Sequence, residues 1–189
     1  MRTVIGGVGY RYLRDHSLGI SMADDLESFA RPPALLVEDL SYGPGAVGQW
    51  FLDEARMAPI TRAIFVSAVG REDGRPAGTV RAYRWDRHLP SAELIQSAVT
   101  EAVTGIILLD NTLVVTEWMH ALPPEVIVIE VEPLEHAFGD GLSVPMTEAY
   151  EEAKRLALML AGDVAASRRL PVHPLGGGWV APSVERVSP

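Results

Sequence analysis

Gly7-Val8-Gly9-Tyr10-Arg11-Tyr12-Leu13-Arg14-Asp15-His16-Ser17-Leu18-Gly19 follows a short apolar run, Thr3-Val4-Ile5, near the start of the chain. The run reads as a buried strand over 3–8 that enters a tight glycine turn. From Gly19 onward, Ile20, Met22, Ala23, Leu26 and Phe29 recur at helical spacing. Arg31-Pro32-Pro33 ends that helix, because proline cannot continue it and restricts the residue before it. Strand, glycine turn and helix in this order open an α/β domain.

Working outward, further strands are expected over 34–37, 62–69, 79–85 and 125–131. Helices are expected over 46–55, 91–120 and 146–160, although 106–109 fits either state. The last helix carries Ala149, Ala153, Leu156 and Leu160 along one face. Strands alternating with helices predict a mostly parallel sheet covered on both faces, a single three-layer α/β domain over 1–163. Ligands of such sheets sit outside the carboxyl ends of the strands, so the loops 6–19, 38–45, 67–78 and 132–143 are the ones to watch. After Asp163 the pattern decays into Pro171, Pro174 and Gly176-Gly177-Gly178, and 164–189 reads as a Pro/Gly-rich C-terminal tail.

The chain has 189 residues, 48% of them hydrophobic and 22% charged, the balance of a folded globular protein. Its 25 acidic and 16 basic side chains give a formal charge of -9, a field that repels phosphate backbones and argues against nucleic acid as a partner. With no cysteine, disulfides, thiolate metal sites and cysteine nucleophiles are all excluded. No apolar run is long enough to span a bilayer and no secretory signal is evident, so a cytoplasmic protein without membrane partners is expected.

Gly7-Val8-Gly9 invites a dinucleotide reading, but the position three after Gly9 is Tyr12 and the next glycine is Gly19. The fingerprint is therefore not met, and no Gly-Lys-Ser or Gly-Lys-Thr supplies a phosphate loop. The whole stretch from Gly7 to Gly19 instead resembles the N-terminal motif of the NiFe-hydrogenase maturation endopeptidases, where a glycine turn leads to an acidic pair and a glycine before the first helix. Three further stretches resemble that family in the same order. Val66-Ser67-Ala68 and Pro76-Ala77-Gly78-Thr79 are similar to its strand-D-A and P-G-T segments. Val128 to Pro133, followed by Gly139-Asp140-Gly141-Leu142-Ser143, is similar to the strand and G-x-x-L-S approach to its last helix.

The resemblance covers roughly 1–160. It implies a five-stranded sheet with helices on both faces, and an endopeptidase that removes the C-terminal extension of a hydrogenase large subunit. It also implies recognition of nickel, or another divalent metal, carried by that substrate. The motif positions are Gly7, Gly9, Asp15, His16, Gly19, Asp39, Ser67 and Ser143. Several differ from the family: His16 stands where the second acidic residue is expected, Ser67 stands for the carboxylate after the third strand, and 105–112 holds no histidine.

The ligand set left by the resemblance is His16, with Asp15 and Asp110 as stand-ins. Each has a plainer reading beside it. His16 could equally be an exposed loop histidine, Asp15 a turn or N-cap residue, and Asp39 a turn residue. Ser67 has no Gly-x-Ser-x-Gly elbow around it. His88, His120 and His136 are isolated in sequence and read as surface residues, His136 being the one that could be recruited beside His16 in space. No catalytic residue is assigned. The expected partner is a hydrogenase-like large subunit or a maturation factor. The alternative to a working peptidase is a catalytically impaired homologue that acts as a binding or accessory protein in metalloenzyme maturation. In that reading the tyrosines Tyr10, Tyr12 and Tyr42 suit a contact surface.

Overall fold

Every residue of β1 (Thr3–Val8) and of β3 (Arg62–Ala68) is buried, because helices cover both faces of the sheet where these strands run. The computed structural model describes residues 2–29 and 31–176. Across the sheet the strands are ordered β2 (Leu35–Asp39), β1, β3, β5 (Glu125–Val131), β4 (Val80–Trp85) and β6 (Val172–His173). The first four are mutually parallel; β4 runs antiparallel to β5, and β6 parallel to β4.

Alternation along the strands divides the core in two. Ile5, Ile64, Val66, Ile127 and Ile129 point to one face. There they meet Leu18 and Met22 of α1 (Leu18–Glu27), and Met146, Ala149 and Ala153 of α5 (Val144–Gly162). Val4, Val8, Phe65, Val126 and Val128 point the other way. They pack on Val47 and Phe51 of α2 (Pro44–Met57) and on Leu113 and Val114 of α4 (Leu109–Trp118). Each of these side chains larger than alanine contributes roughly 1.5–3 kcal/mol when fully buried. α3 (Ala92–Val103) packs against α4 with only Ala98 fully buried. The helical interval expected over 91–120 is thus split. Gly105 takes a left-handed φ of 86° at the break, and the Ile107 N–H beyond it donates to the Tyr10 hydroxyl instead of continuing a helix.

The sheet has six strands where five were expected, the sixth being the two-residue β6. It belongs to the segment expected as tail. Within 164–176 the chain instead forms α6 (Val164–Arg168), capped by the Asp163 carboxylate, and β6. The Arg84 N–H donates to Pro171 O at 2.9 Å and the Asp86 N–H to His173 O at 3.1 Å, which fastens β6 to β4. The rest of the expected tail, 177–189, lies outside the described residues.

At the amino ends of the strands sits Arg62, fully buried. Its guanidinium donates to Glu125 at 2.7 Å, to Leu160 O at 2.6 Å and to the Ser167 hydroxyl at 2.8 Å. One side chain therefore joins the first residues of β3 and β5 to the end of α5 and to α6. Complete pairing offsets the cost of burying its charge.

Candidate functional site

The turn after β1 is built around glycines because backbone passes backbone there at close range. A Cβ on Gly19 would lie 2.4 Å from Val66 O and 2.6 Å from both Val8 N and Val8 O; one on Gly9 would lie 2.1 Å from His16 O. This closeness lets the first turn of α1 rest on the ends of β1 and β3. The Tyr10 N–H donates to His16 O at 2.9 Å and the His16 N–H to Leu13 O at 2.9 Å, closing a loop in which Arg14–Ser17 form a 3-10 turn.

Asp15 in that turn has no exposed surface. Its carboxylate accepts four hydrogen bonds: from the N–H groups of Leu134 (2.9 Å), Glu135 (2.8 Å) and Ser143 (2.7 Å), and from the Ser143 hydroxyl (2.8 Å). Burial alone would raise its pKa. The four donors outweigh burial and hold Asp15 below the ordinary carboxyl value. The loop after β1 and the loop 132–143 are thereby joined into one wall.

Behind that wall, at the carboxyl ends of β1, β3 and β5, lies an open cleft of about 420 Å³ lined by His16, Ser67, Asp110, Glu132 and His136 among others. His16 Nε2 and His136 Nδ1 share a hydrogen bond of 2.7 Å, with ring centroids 4.8 Å apart. Burial, helped by the charge of His136, lowers the His16 pKa against the opposing pull of Asp15 and the Ala68 backbone. The neutral imidazole is favoured. Ser67, the next-to-last residue of β3, is buried, and its hydroxyl reaches only Ala68 O at 3.4 Å.

The far wall of the cleft is an ion cluster centred on Arg71. Its guanidinium pairs bidentately with Asp110 at 2.6 and 2.9 Å and with Glu130, whose carboxylate also accepts from the Tyr83 hydroxyl at 2.6 Å. Burial works against every charge in this group. Its partners nevertheless raise Arg71 above the ordinary guanidinium value, and hydrogen bonds from Arg71 and Tyr83 hold Glu130 low. Burial pushes Asp110 up against the opposing pull of Arg71. The Arg71 N–H adds a contact to the Glu132 carboxylate at 3.3 Å.

Neither a protein-family model nor a curated protein matches this chain. Solved structures do. The hydrogenase 2 maturation peptidase of Thaumarchaeota archaeon SCGC_AB-539-E09 aligns over 86% of this chain and 99% of its own, with a TM-score of 0.59 and 21% identity. The hydrogenase maturating endopeptidase HybD of E. coli aligns over 85% of this chain and 91% of its own, at TM-score 0.61 and 19% identity. An E. coli endopeptidase studied in solution aligns over 86% and 94%, at TM-score 0.60 and 22% identity. The fold is that of the hydrogenase maturation proteases.

Within the maturation-protease fold, the motif positions read from sequence divide by location. His16, Ser67 and Asp110 reach the same cleft, as does Gly9. Asp15 and Ser143 meet each other beside it. Asp39 does not line the cleft; it accepts from the Ser41 N–H at 2.9 Å in a turn and pairs with Arg11 at 3.2 Å. Among the described residues no group of three or more His, Asp or Glu side chains is arranged to hold a metal ion. His16, Asp15 and Asp110 are thus not gathered as a ligand set, since the Asp15 oxygens face the loop amides and those of Asp110 face Arg71. Sequence reading gave no role to Arg71, Tyr83 or Glu130, and took His136 for a residue isolated in sequence that could be recruited beside His16 in space, where it does lie. The pairs Arg71–Asp110, Arg71–Glu130 and His16–His136 are 39, 59 and 120 residues apart, so no local pattern announces them.

Proposed function

We propose that the protein is a metal-recognising endopeptidase of the hydrogenase-maturation type, which removes the C-terminal extension of a hydrogenase-like large subunit in the cytoplasm. The observation that carries this reading is the cleft: the three positions that the family resemblance gives to metal recognition, His16, Ser67 and Asp110, line one cavity at the carboxyl ends of the strands. Solved structures similar to this chain in fold include peptidases of that name.

The metal in this reading is nickel held by the substrate, and when bound at His16 it would supply Lewis acidity beside the scissile carbonyl. The chain's own part is to bind and orient. Neutral His16 presents an imidazole nitrogen suited to a borderline ion. The Asp15 clamp keeps the loops around the open cleft in place. Among the described residues no helix is long and apolar enough to cross a membrane.

The test is to incubate the purified protein with a nickel-loaded large-subunit precursor and follow the precursor's C-terminus by mass spectrometry. Loss of the extension, slowed at least tenfold by His16→Ala, is the expected result. A precursor left intact by the wild-type protein overturns the reading.

A further inference from the structure

The inherited positions leave the cleft poor in ligands. Asp15 is saturated by four donors, Asp110 is paired with Arg71, and Ser67 is neutral. The cleft does hold one more nitrogen at a useful distance from His16. We propose that His16 Nε2 and His136 Nδ1 form a two-imidazole site for a borderline divalent cation such as Ni²⁺ or Zn²⁺, with His136 supplying a ligand that no motif position provides. The proposal deepens the reading above and rests on it for the source of the ion.

Geometry comes first. The two nitrogens are 2.7 Å apart, and both rings line the cleft. An ion bound tetrahedrally to two imidazoles at about 2.0–2.1 Å each holds its nitrogens roughly 3.3 Å apart. The rings need to part by roughly 0.6 Å to admit it.

The two rings also share one support. Asp15, the residue before His16, accepts from the N–H of Glu135, the residue before His136. Both rings hang from one clamped junction.

Chemistry narrows the ligand. Two neutral imidazoles without a carboxylate suit nickel, copper or zinc and not magnesium or calcium, which take oxygen ligands. Only two coordination positions come from this chain, which leaves the others open to groups supplied by the substrate.

The experiment is a Zn²⁺ titration of the full-length, ¹⁵N-histidine-labelled protein, followed through the side-chain nitrogen resonances. The expected result is a joint shift of His16 Nε2 and His136 Nδ1 at one equivalent, with His88, His120 and His173 unmoved and Mg²⁺ without effect. His136→Ala should weaken binding at least tenfold, whereas His88→Ala, at an exposed histidine outside the cleft, should leave it unchanged. Equal affinity in His136→Ala, or saturation at the other histidines, overturns the proposal. Zinc binding at the pair without precursor cleavage would count against the endopeptidase reading alone. Cleavage that persists in His136→Ala would count against this site alone.

Discussion

Asp15 and Ser143, 128 residues apart, are joined twice: the Ser143 N–H donates to one carboxylate oxygen at 2.7 Å and its hydroxyl to the other at 2.8 Å. Ser143 is also the N-cap residue of α5. The contact therefore ties the turn after β1 to the start of the longest helix, and the cleft takes its shape from that tie.

Replacing Asp15 by Asn keeps the volume but turns an acceptor into a donor facing other donors. Asp15→Asn should lower stability by about 2–4 kcal/mol, since buried hydrogen bonds to a charged group are worth about 1.5–3 kcal/mol each and the losses are not additive. Urea unfolding measures this directly.

The same carboxylate gives stability a pH dependence of known sign. Its folded pKa lies below the ordinary 3.8, so the unfolded chain takes up the proton first as pH falls. The contribution is complete above that ordinary value and is lost as pH drops through the depressed one. Stability measured between about pH 5 and pH 2 should fall less steeply in Asp15→Asn than in the wild type.

Removing Arg71 strands two buried carboxylates. Arg71→Ala should cost about 3–5 kcal/mol in chemical denaturation. Lysine should not restore it, because a single ammonium cannot reproduce the bidentate bonds to Asp110 while also reaching Glu130. Full recovery in Arg71→Lys would show that charge alone matters there.

Gly19→Ala tests the close passage of α1 over the sheet. The new methyl would meet backbone atoms of Val8 and Val66, which cannot rotate away. A loss of at least about 3 kcal/mol is expected, at the upper end for overpacking. It would be read as a drop in thermal midpoint.

Ser67→Asp returns a carboxylate to the end of β3, inside the cleft. If the ion lies over that strand end, Zn²⁺ affinity should rise at least tenfold by calorimetry. Unchanged affinity would mean that residue 67 does not face it.

What was legible in the sequence was local. The bounds of β5 match the expected 125–131, because a short apolar run bounded by proline at each end has few other homes. Gly7 and Gly9 were legible as a tight turn after the first strand and Gly19 as the glycine before the first helix; that backbone passes backbone at all three is seen only in the packing. β6 carried no signal: two residues gain strand geometry only by pairing with Arg84 and Trp85. Asp110 was legible as a stand-in ligand but not as the partner of Arg71, and His136 as a histidine that His16 could recruit in space but not as its hydrogen-bond partner. Their roles depend on side chains brought together by the whole sheet, and no window of sequence contains both members of such a pair.

Arg62 and its three bonds lie at the opposite end of the strands from the cleft. Scaffold integrity and site identity are thus inherited through different residues. A lineage can exchange one set of ligands for another at the carboxyl ends while the bolt at the amino ends keeps the layers in register. Drift in chemistry need not pass through an unfolded ancestor.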